Sequence, residues 1–168
     1  MNGYFTIRTA FGWLAVAVSD AGLVALSLPA PSPDRARAAL GAPASWPEVA
    51  PEAAWGELVA KLRAYFEGQR VAFLDEPIDW RGVTPFRQRA WEVVRAIPWG
   101  TTRSYAQVAA ELGAPQAARA VGGAMAANRL PIIIPCHRVL GTDGRLVGFG
   151  GGVEMKARLL ALEGTLRP

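Results

Sequence analysis

Apolar and polar positions alternate in three short runs over the first thirty residues of the chain. The runs at positions 4–9, 13–19 and 23–28 are rich in β-branched and aromatic side chains, and short gaps containing Gly12 and Gly22 separate them. Alternation with a period of two is typical of a strand with one buried face, and gaps this short suit hairpin turns. The pattern therefore predicts a three-stranded antiparallel meander at the start of the chain.

Helical spacing follows the predicted strands. Ser32 before Pro33 is a typical helix start, and the prolines between positions 41 and 51 predict a loop. Apolar residues then recur at helical spacing over positions 55–66. The apolar residues 71–73 predict a short edge strand, so we expect the first half to be a small α+β unit.

A polar, proline-containing stretch at positions 77–82 predicts the boundary between two domains, 1–80 and 81–168. Just beyond it, Thr84 followed by Pro85 is typical of a helix start, because proline at the first helical position sacrifices no hydrogen bond. We expect the second domain to consist mainly of helices.

Two short helices are predicted next, at 104–112 and 115–127, joined by Gly113 and Ala114. This arrangement fits a helix-turn-helix motif. The second helix contains almost only small residues around Arg119, so another surface can approach it closely. Two interpretations follow: tight packing against another helix, or insertion into a DNA groove with few side chains that read the bases.

The composition indicates a folded protein and limits its chemistry. Of 168 residues, 51% are hydrophobic, yet no apolar run approaches the roughly 20 residues that span a bilayer. The start of the chain lacks the basic and apolar regions of a secretory signal. A single cysteine and a single histidine exclude an internal disulfide and a structural zinc site. These features favour a reducing, cytoplasmic location (the nucleus in a eukaryote), with no metal, no cofactor and no membrane partner.

The net charge of +4 is unevenly distributed along the chain. Residues 1–80 contain six basic and nine acidic side chains, a net charge of −3, whereas residues 81–168 contain twelve and five, a net charge of +7. A basic half joined to an acidic half favours a polyanionic partner for the basic half.

The only cysteine and the only histidine are neighbours, Cys136 and His137. A thiol needs help to become a nucleophilic thiolate near neutral pH, and an imidazole can take its proton. We expect the apolar residues 132–134 to form a buried strand leading into this pair. Neighbouring strand residues point to opposite faces, so the pair can cooperate only if the chain turns sharply after Pro135 or a water relays the proton. Glu163, at the end of the last predicted helix, is either a surface residue or the acceptor that orients the imidazole.

The segment around Cys136 resembles the active-site signature of the O6-alkylguanine-DNA alkyltransferases, also called methylated-DNA–protein-cysteine methyltransferases. The signature here is Pro135-Cys136-His137-Arg138-Val139. Further matching segments follow the family's order: Thr84-Pro85-Phe86, Ile97-Pro98-Trp99-Gly100, Ser104-Tyr105, Arg119-Ala120-Val121-Gly122, Asn128, Gly148-Phe149-Gly150-Gly151 and Leu159-Leu160-Ala161-Leu162-Glu163-Gly164. The first half resembles the family in its layout alone.

The resemblance implies an α+β fold in which a small ribonuclease H-like domain, with a three-stranded sheet and helices, precedes a winged-helix-like helix-turn-helix domain that carries the active-site cysteine. It implies DNA repair by irreversible, stoichiometric transfer of a methyl or other alkyl group from O6-alkylguanine to Cys136, with O4-alkylthymine as a second lesion. The implied partner is double-stranded DNA, bound through its minor groove by a monomer that flips out the alkylated base.

The family's roles carry over to matching residues of this chain. The implied chemistry is at Cys136 (alkyl acceptor), His137 with Glu163 (base acting through a water), Asn128 (hinge) and Tyr105 (proton donor to the leaving guanine). The implied DNA contacts are Arg119, which would fill the place of the flipped base, and Ala120, Gly122, Ser104 and Arg138. The implied base pocket comprises Val139, Phe149, Gly150 and Met125.

Two positions depart from the family's pattern. Arg129 stands where the family usually has proline after the asparagine, which affects the rigidity of the hinge. Phe149 stands where many members have tyrosine, which removes a hydroxyl near the pocket. Zinc-binding members carry additional cysteine and histidine residues, so the resemblance implies no metal here.

Two other functions stay open at this point. A helix-turn-helix protein that senses alkylated DNA or regulates transcription would not need Cys136. A Cys–His hydrolase acting on esters or amides would not need a basic helix-turn-helix domain, and it would turn over many times.

Overall fold

The computed structural model describes residues 1–165 of the chain, which divides into two compact units. The first unit ends at Trp80 and the second begins at Arg81. Residues 166–168, the end of the predicted second domain, lie outside the described part. No helix within residues 1–165 is long and apolar enough to cross a membrane.

The first unit is built on a three-stranded antiparallel sheet, as the alternating pattern predicts. Its strands are β1 (Gly3–Thr9), β2 (Gly12–Ser19) and β3 (Gly22–Leu26), in the order β1-β2-β3. Gly12 and Gly22 open the second and third strands with φ angles of 128° and 137°. A Cβ atom at Gly12 would lie 2.7 Å from a carbonyl oxygen, and one at Gly22 would lie 2.5 Å from another, so both positions require glycine.

Helices cover this sheet. They are α1 (Pro33–Ala39), capped by the hydroxyl of Ser32, and α2 (Gly56–Phe66), which contacts β1. α1 packs on β2 where the side chains are small, in a cluster that contains Ala15, Ala17, Ala25, Ala36 and Leu40. Small residues on both partners allow the helix to approach the sheet closely, which gives the unit an apolar core.

The edge strand predicted at 71–73 is wrong. This segment is irregular chain, although the ring of Phe73 is buried near that of Tyr65. The edge of β3 is occupied further along, because Leu23 donates to the carbonyl of Pro77 at 2.8 Å and accepts from the N–H of Asp79 at 2.9 Å. The backbone groups that an edge strand at 71–73 would need are therefore already used.

The second unit begins with three helices that contact one another: α3 (Pro85–Arg95), α4 (Tyr105–Glu111) and α5 (Ala118–Ala126). The indole N–H of buried Trp91 joins α3 to α5 by donating to the carbonyl of Ala124 at 2.8 Å. The start predicted for α5 at position 115 is wrong by three residues. A bond of 2.8 Å from the Ala117 N–H to the Ala114 carbonyl closes a tight turn there before the helix begins.

The remaining elements bring distant parts of the second unit to one turn. β4 (Arg103–Ser104) pairs in parallel with β5 (Val139–Leu140). α6 (Gly152–Leu162) contacts the 3-10 turn Cys136–Arg138 that precedes β5. The start of α4 and one face of α6 are thus positioned around Cys136.

The strand predicted at 132–134 is also wrong, although these residues are buried as expected. The Ile134 N–H donates to the Leu130 carbonyl at 2.8 Å, and Ile132 has a φ of 75°, which is uncommon for a β-branched residue. The side chain of Asn128 holds this turn from both ends: Nδ2 donates to the Ile134 carbonyl and Oδ1 accepts from the Leu130 N–H, each at 2.9 Å. An asparagine side chain therefore makes the bonds that a neighbouring strand would make.

Candidate active site

The backbone turns sharply at the cysteine. Pro135 has φ −78° and ψ 66°, an inverse γ-turn closed by a bond of 2.7 Å from the Cys136 N–H to the Ile134 carbonyl. The Arg138 N–H then donates to the Pro135 carbonyl at 2.9 Å. The chain therefore turns sharply after Pro135, as the first of the two conditions for the adjacent Cys136 and His137 requires, and the water relay stays a prediction. Cys136 is buried, with 8% of the residue exposed.

His137 and Glu163 form a buried pair. Nε2 of the imidazole lies 2.7 Å from Oε1 of the carboxylate, and both side chains are fully enclosed. Burial lowers the pKa of His137, against the opposing effect of Glu163. Because Nε2 is engaged with a carboxylate, it carries the hydrogen, and Nδ1 is the nitrogen that can accept a proton.

The position of the Arg138 side chain contradicts the predicted DNA contact. Its guanidinium is buried and donates twice to Glu163, from Nε to Oε2 at 2.9 Å and from Nη2 to Oε1 at 2.8 Å. Nη1 donates to the carbonyl of Ile97 at 2.6 Å. A guanidinium held by a carboxylate and a carbonyl inside the protein is not available to a phosphate, so the prediction for Arg138 is wrong.

These contacts keep Glu163 ionised. Burial raises the pKa of its carboxyl, but hydrogen bonds from His137 and Arg138 outweigh burial and lower the pKa to about 2. The residue follows α6 as its C-terminal cap. A carboxylate is unfavourable there because the helix dipole places partial negative charge at the C-terminal end. The two hydrogen bonds from the Arg138 guanidinium offset this unfavourable interaction.

Burial raises the pKa of the Cys136 thiol. The side chain of Asn128, the charge of Lys156 and the backbone N–H groups of Cys136 and His137 act in the opposite direction. The thiol therefore has groups around it that stabilise the thiolate, although burial alone would hold the proton on sulfur.

Tyr105 opens α4 and faces the same region. Its hydroxyl donates to the carbonyl of Val147 at 3.3 Å. Burial raises the pKa of the phenol, with a further contribution from Cys136, so the hydroxyl keeps its proton at neutral pH. β4, which immediately precedes Tyr105, is paired with β5, and this pairing ties the tyrosine to the cysteine turn.

Lys156 is a residue that the sequence interpretation missed. It is completely buried on α6, and Nζ donates to the carbonyls of Val139 at 2.6 Å and Val147 at 2.9 Å. Nζ also lies 6.0 Å from the ring centroid of Tyr105. One signal was present: Lys156 precedes Leu159 and Leu160 by three and four positions, so it shares their buried face.

The predicted pocket residues differ in exposure. Val139 and Met125 are buried, in β5 and α5, whereas Phe149 is half-buried and Gly150 exposed in the segment before α6. The carbonyl of Val139 is already bound to Lys156. Their contacts with a base stay predictions.

The predicted DNA-contact residues other than Arg138 are exposed or half-buried. Arg119 and Ala120 are exposed on α5, and Ser104 uses its hydroxyl to cap α4, accepting from the Gln107 N–H at 3.0 Å. A Cβ atom built on Gly122 or Gly123 would meet nothing within 4 Å. Packing within residues 1–165 therefore does not explain these glycines. The structure does not bring this surface group into the buried site around Cys136.

In the part of the chain that the structure describes, no group of three or more His, Cys, Asp or Glu side chains is placed to hold a metal ion.

Comparison with protein families finds two matches, one for each unit. The family described as 6-O-methylguanine DNA methyltransferase, ribonuclease-like domain, matches residues 3–80. The family described as 6-O-methylguanine DNA methyltransferase, DNA binding domain, matches residues 85–165. Together they define a class of protein with a ribonuclease-like domain followed by a DNA-binding domain.

Individual relatives identify the type of methyltransferase within this class. The methylated-DNA–protein-cysteine methyltransferase of Mycobacterium tuberculosis H37Rv is 49% identical over 115 residues, which is 68% of either chain. The protein of the same name from Salmonella typhimurium is 49% identical over 111 residues, 66% of this chain and 64% of that one.

Solved structures agree with these relatives. The crystal structure of Mycobacterium tuberculosis O6-methylguanine methyltransferase has a TM-score of 0.77 and 40% identity, over 100% of this chain and 96% of that one. A structure from the same organism in complex with DNA has a TM-score of 0.79 and 40% identity, over 96% and 92% of the two chains. The chain belongs to the methylated-DNA–protein-cysteine methyltransferase family.

Proposed function

We propose that this chain repairs DNA by direct reversal, accepting the alkyl group of O6-alkylguanine on Cys136. The observation that carries the proposal is the buried turn in which the single cysteine adjoins a histidine already bonded to an ionised carboxylate. The named relatives are methylated-DNA–protein-cysteine methyltransferases, which supports this assignment.

Deprotonation of the thiol comes first. Nδ1 of His137 takes the Cys136 proton through a water, because Nε2 is engaged with Glu163. The ionised Glu163 stabilises the imidazolium that forms. Arg138 does not take part in the proton transfer itself. It binds both carboxylate oxygens of Glu163 and so fixes the orientation of the His137–Glu163 pair.

The thiolate then attacks the alkyl carbon on the guanine oxygen. A carbon–sulfur bond forms, the carbon–oxygen bond breaks, and its electron pair stays with the guanine. Tyr105 keeps its proton at neutral pH because burial raises the pKa of the phenol, and it is the group proposed to donate a hydrogen bond or proton to the leaving base. The thioether product is stable, so each molecule accepts one alkyl group.

α5 is the proposed DNA surface, lying in the minor groove of a duplex. Its small exposed residues and the open space beside Gly122 and Gly123 allow a close approach to DNA. The reacting carbon lies inside the base stack, so the nucleotide has to be flipped out, and exposed Arg119 would fill the vacated place. A monomer suffices, because one chain carries both the surface and the nucleophile. A lone cysteine that must stay reduced suits the cytoplasm.

The test is intact-mass analysis after incubation with a duplex that contains one O6-methylguanine. We expect the full chain to gain the mass of one CH2 group, located on the Cys136 peptide, and to stop after one equivalent. Cys136→Ser should bind the same duplex and gain no mass. Binding by the unaltered chain without a mass change would indicate a sensor of alkylated DNA, and release of product over many cycles would indicate a hydrolase.

A further inference from the structure

Lys156 is a buried cation whose hydrogen bonds go to neutral partners. Its two bonds reach the carbonyls of Val139 and Val147, and its side chain has no exposed surface. In soluble proteins, a buried charge is normally paired with an opposite charge, because the loss of hydration is otherwise uncompensated. Within residues 1–165, no carboxylate forms an ion pair with Lys156.

The buried carboxylate of this site, Glu163, is hydrogen-bonded to residues other than Lys156. Glu163 lies on the far end of the same helical segment and is bound by Arg138 through both oxygens and by His137 through one. Arg138 and Glu163 together carry no net charge. The positive charge of Lys156 is therefore the uncompensated charge of the buried cluster while Cys136 is a thiol.

We propose that Lys156 is the counter-ion of the Cys136 thiolate and a positioning residue for the transfer reaction. Loss of the thiol proton to His137 separates charge without changing the net charge of the cluster. The imidazolium that forms is paired with Glu163, and the negative charge on sulfur is stabilised by the buried ammonium. Transfer of an alkyl group removes that negative charge again, because the sulfur becomes a neutral thioether and the electron pair leaves with the base. This inference rests on the proposed role of Cys136 as the nucleophile.

The electrostatics of the two groups are reciprocal. Burial lowers the pKa of Lys156, whereas the charge of Cys136 raises it. Burial raises the pKa of Cys136, whereas the charge of Lys156 is among the effects that lower it. The geometry supports the coupling, since Lys156 binds the carbonyl of Val139, three residues after the cysteine and directly after its turn.

Other titratable groups surround the cysteine and have to be separated from Lys156. His137 and Arg138 share its turn, Glu163 follows α6, and Tyr105 begins α4. α3 also contacts the turn, and its charged residues are exposed or half-exposed: Arg87, Arg89, Glu92 and Arg95. Variants of Lys156 leave all of these in place, so a shift in the titration of Cys136 reports on the lysine.

The test measures the reactivity of the thiol in the full chain. Iodoacetamide reacts with thiolate, and Cys136 is the only cysteine, so the rate against pH gives its titration midpoint. For Lys156→Met, we expect the midpoint to rise by about one pH unit and the rate at neutral pH to fall about tenfold. Lys156→Arg keeps the charge and should recover most of the shift. Lys61→Met, at the only other lysine of the chain, should leave the midpoint unchanged.

An unchanged midpoint in Lys156→Met, or equal shifts in Lys156→Met and Lys156→Arg, would overturn the proposal. A second measurement covers the case in which these variants fail to fold. With only two lysines, a chain labelled at lysine Cε gives two signals, and Lys156 can be titrated directly by NMR. We expect alkylation of Cys136 by iodoacetamide to lower the pKa of Lys156; an identical titration before and after alkylation would contradict the inference.

The same experiments keep this inference separate from the proposed function. If the chain takes no methyl group from O6-methylguanine but Lys156 and Cys136 titrate together, the function is wrong and the ion pair stands. If transfer occurs and the lysine variants leave the thiol midpoint unchanged, the ion pair is wrong and the function stands.

Discussion

The two units of this protein bury different kinds of polar side chain. In the first unit, the buried polar residues are three with hydroxyl groups and one acid: Thr9, Ser19, Ser27 and Asp79. Among the described residues of the second unit, 81–165, they are four ionisable residues, all within one hydrogen-bonded or electrostatic cluster around the cysteine: His137, Arg138, Lys156 and Glu163.

This difference separates a scaffold from a chemical site. Alanine and larger aliphatic residues fill the core of the sheet, where burial of apolar area stabilises the fold. Buried charges are costly to desolvate and contribute little net stability even when paired. Their concentration around the Cys136–Arg138 turn is consistent with the proton transfer and thiolate stabilisation proposed above. Changes in the two units should therefore have different consequences.

The largest effect is expected from Glu163→Gln. The neutral amide stabilises an imidazolium poorly and leaves Arg138 buried without its carboxylate, so we expect methyl transfer to slow at least tenfold and its rate-against-pH profile to move to more alkaline pH. Glu154→Gln, at an exposed position in the first turn of the same helix, is the matched control. Wild-type kinetics across the neutral range in Glu163→Gln would limit Glu163 to a structural role.

The same variant should alter the pH dependence of stability. The pKa of Glu163 is lowered from its usual value of 4.5 to about 2 in the folded chain. The ionised residue therefore stabilises the fold at pH values above the unfolded pKa, by about 3 kcal/mol, and this contribution is lost as the pH falls towards the folded pKa. Denaturation of the two proteins should give a difference in unfolding free energy that is full near neutrality and shrinks between pH 4.5 and about 2. A difference that does not depend on pH would contradict this assignment.

The next largest effect is expected from salt on the affinity for DNA, through the basic second unit. Residues 81–168 carry a net charge of +7, so DNA binding releases counterions, and we expect the affinity of the full chain for a duplex to fall by about tenfold or more between about 50 and 200 mM salt. The slope of log affinity against log salt concentration measures the effect. Arg35→Gln, on the exposed surface of α1 in the acidic unit, should leave the slope unchanged. A slope near zero would remove the argument for a polyanionic partner.

A more selective effect is expected from Arg119→Ala. Extruding a base from a duplex costs a few kcal/mol, and an inserted guanidinium recovers part of this, so repair of O6-methylguanine in a duplex should slow about tenfold. Reaction with free O6-benzylguanine should be unchanged, because a free base needs no flipping. Equal losses on the two substrates would assign Arg119 to the fold or the pocket.

The smallest effect on transfer is expected from Leu14→Ala in the core of the sheet. Leu14 is fully buried in β2, so its truncation should lower the free energy of unfolding by about 2–5 kcal/mol. Below its melting temperature, the variant should transfer methyl groups with the wild-type rate and pH profile. A changed pH profile would show that the first unit influences the titration of the site and is more than a scaffold.

Local signals were sufficient for much of the fold. The period-two pattern identified the three strands, and Thr84 and Ser104 cap α3 and α4 as their positions suggest. These signals work because turns, caps and faces depend on residues a few positions apart. The same reasoning failed at 132–134, where the apolar pattern predicts burial correctly but cannot tell a strand from a turn held by the Asn128 side chain.

The family and the residue types available for chemistry follow from the amino-acid sequence, since the adjacent Cys136 and His137 and the segments around them are read directly from the chain. Which charges are buried together depends on the folding of distant segments onto one another. Arg138 meets Glu163 across 25 positions, and Lys156 meets Val139 across 17, so neither contact leaves a periodic signal in the sequence. An isolated arginine or lysine in a sequence suggests a solvent-exposed charge. In this protein Arg138 and Lys156 are buried and lose their hydration. Because this desolvation is costly, each cation is hydrogen-bonded to acceptors inside the protein.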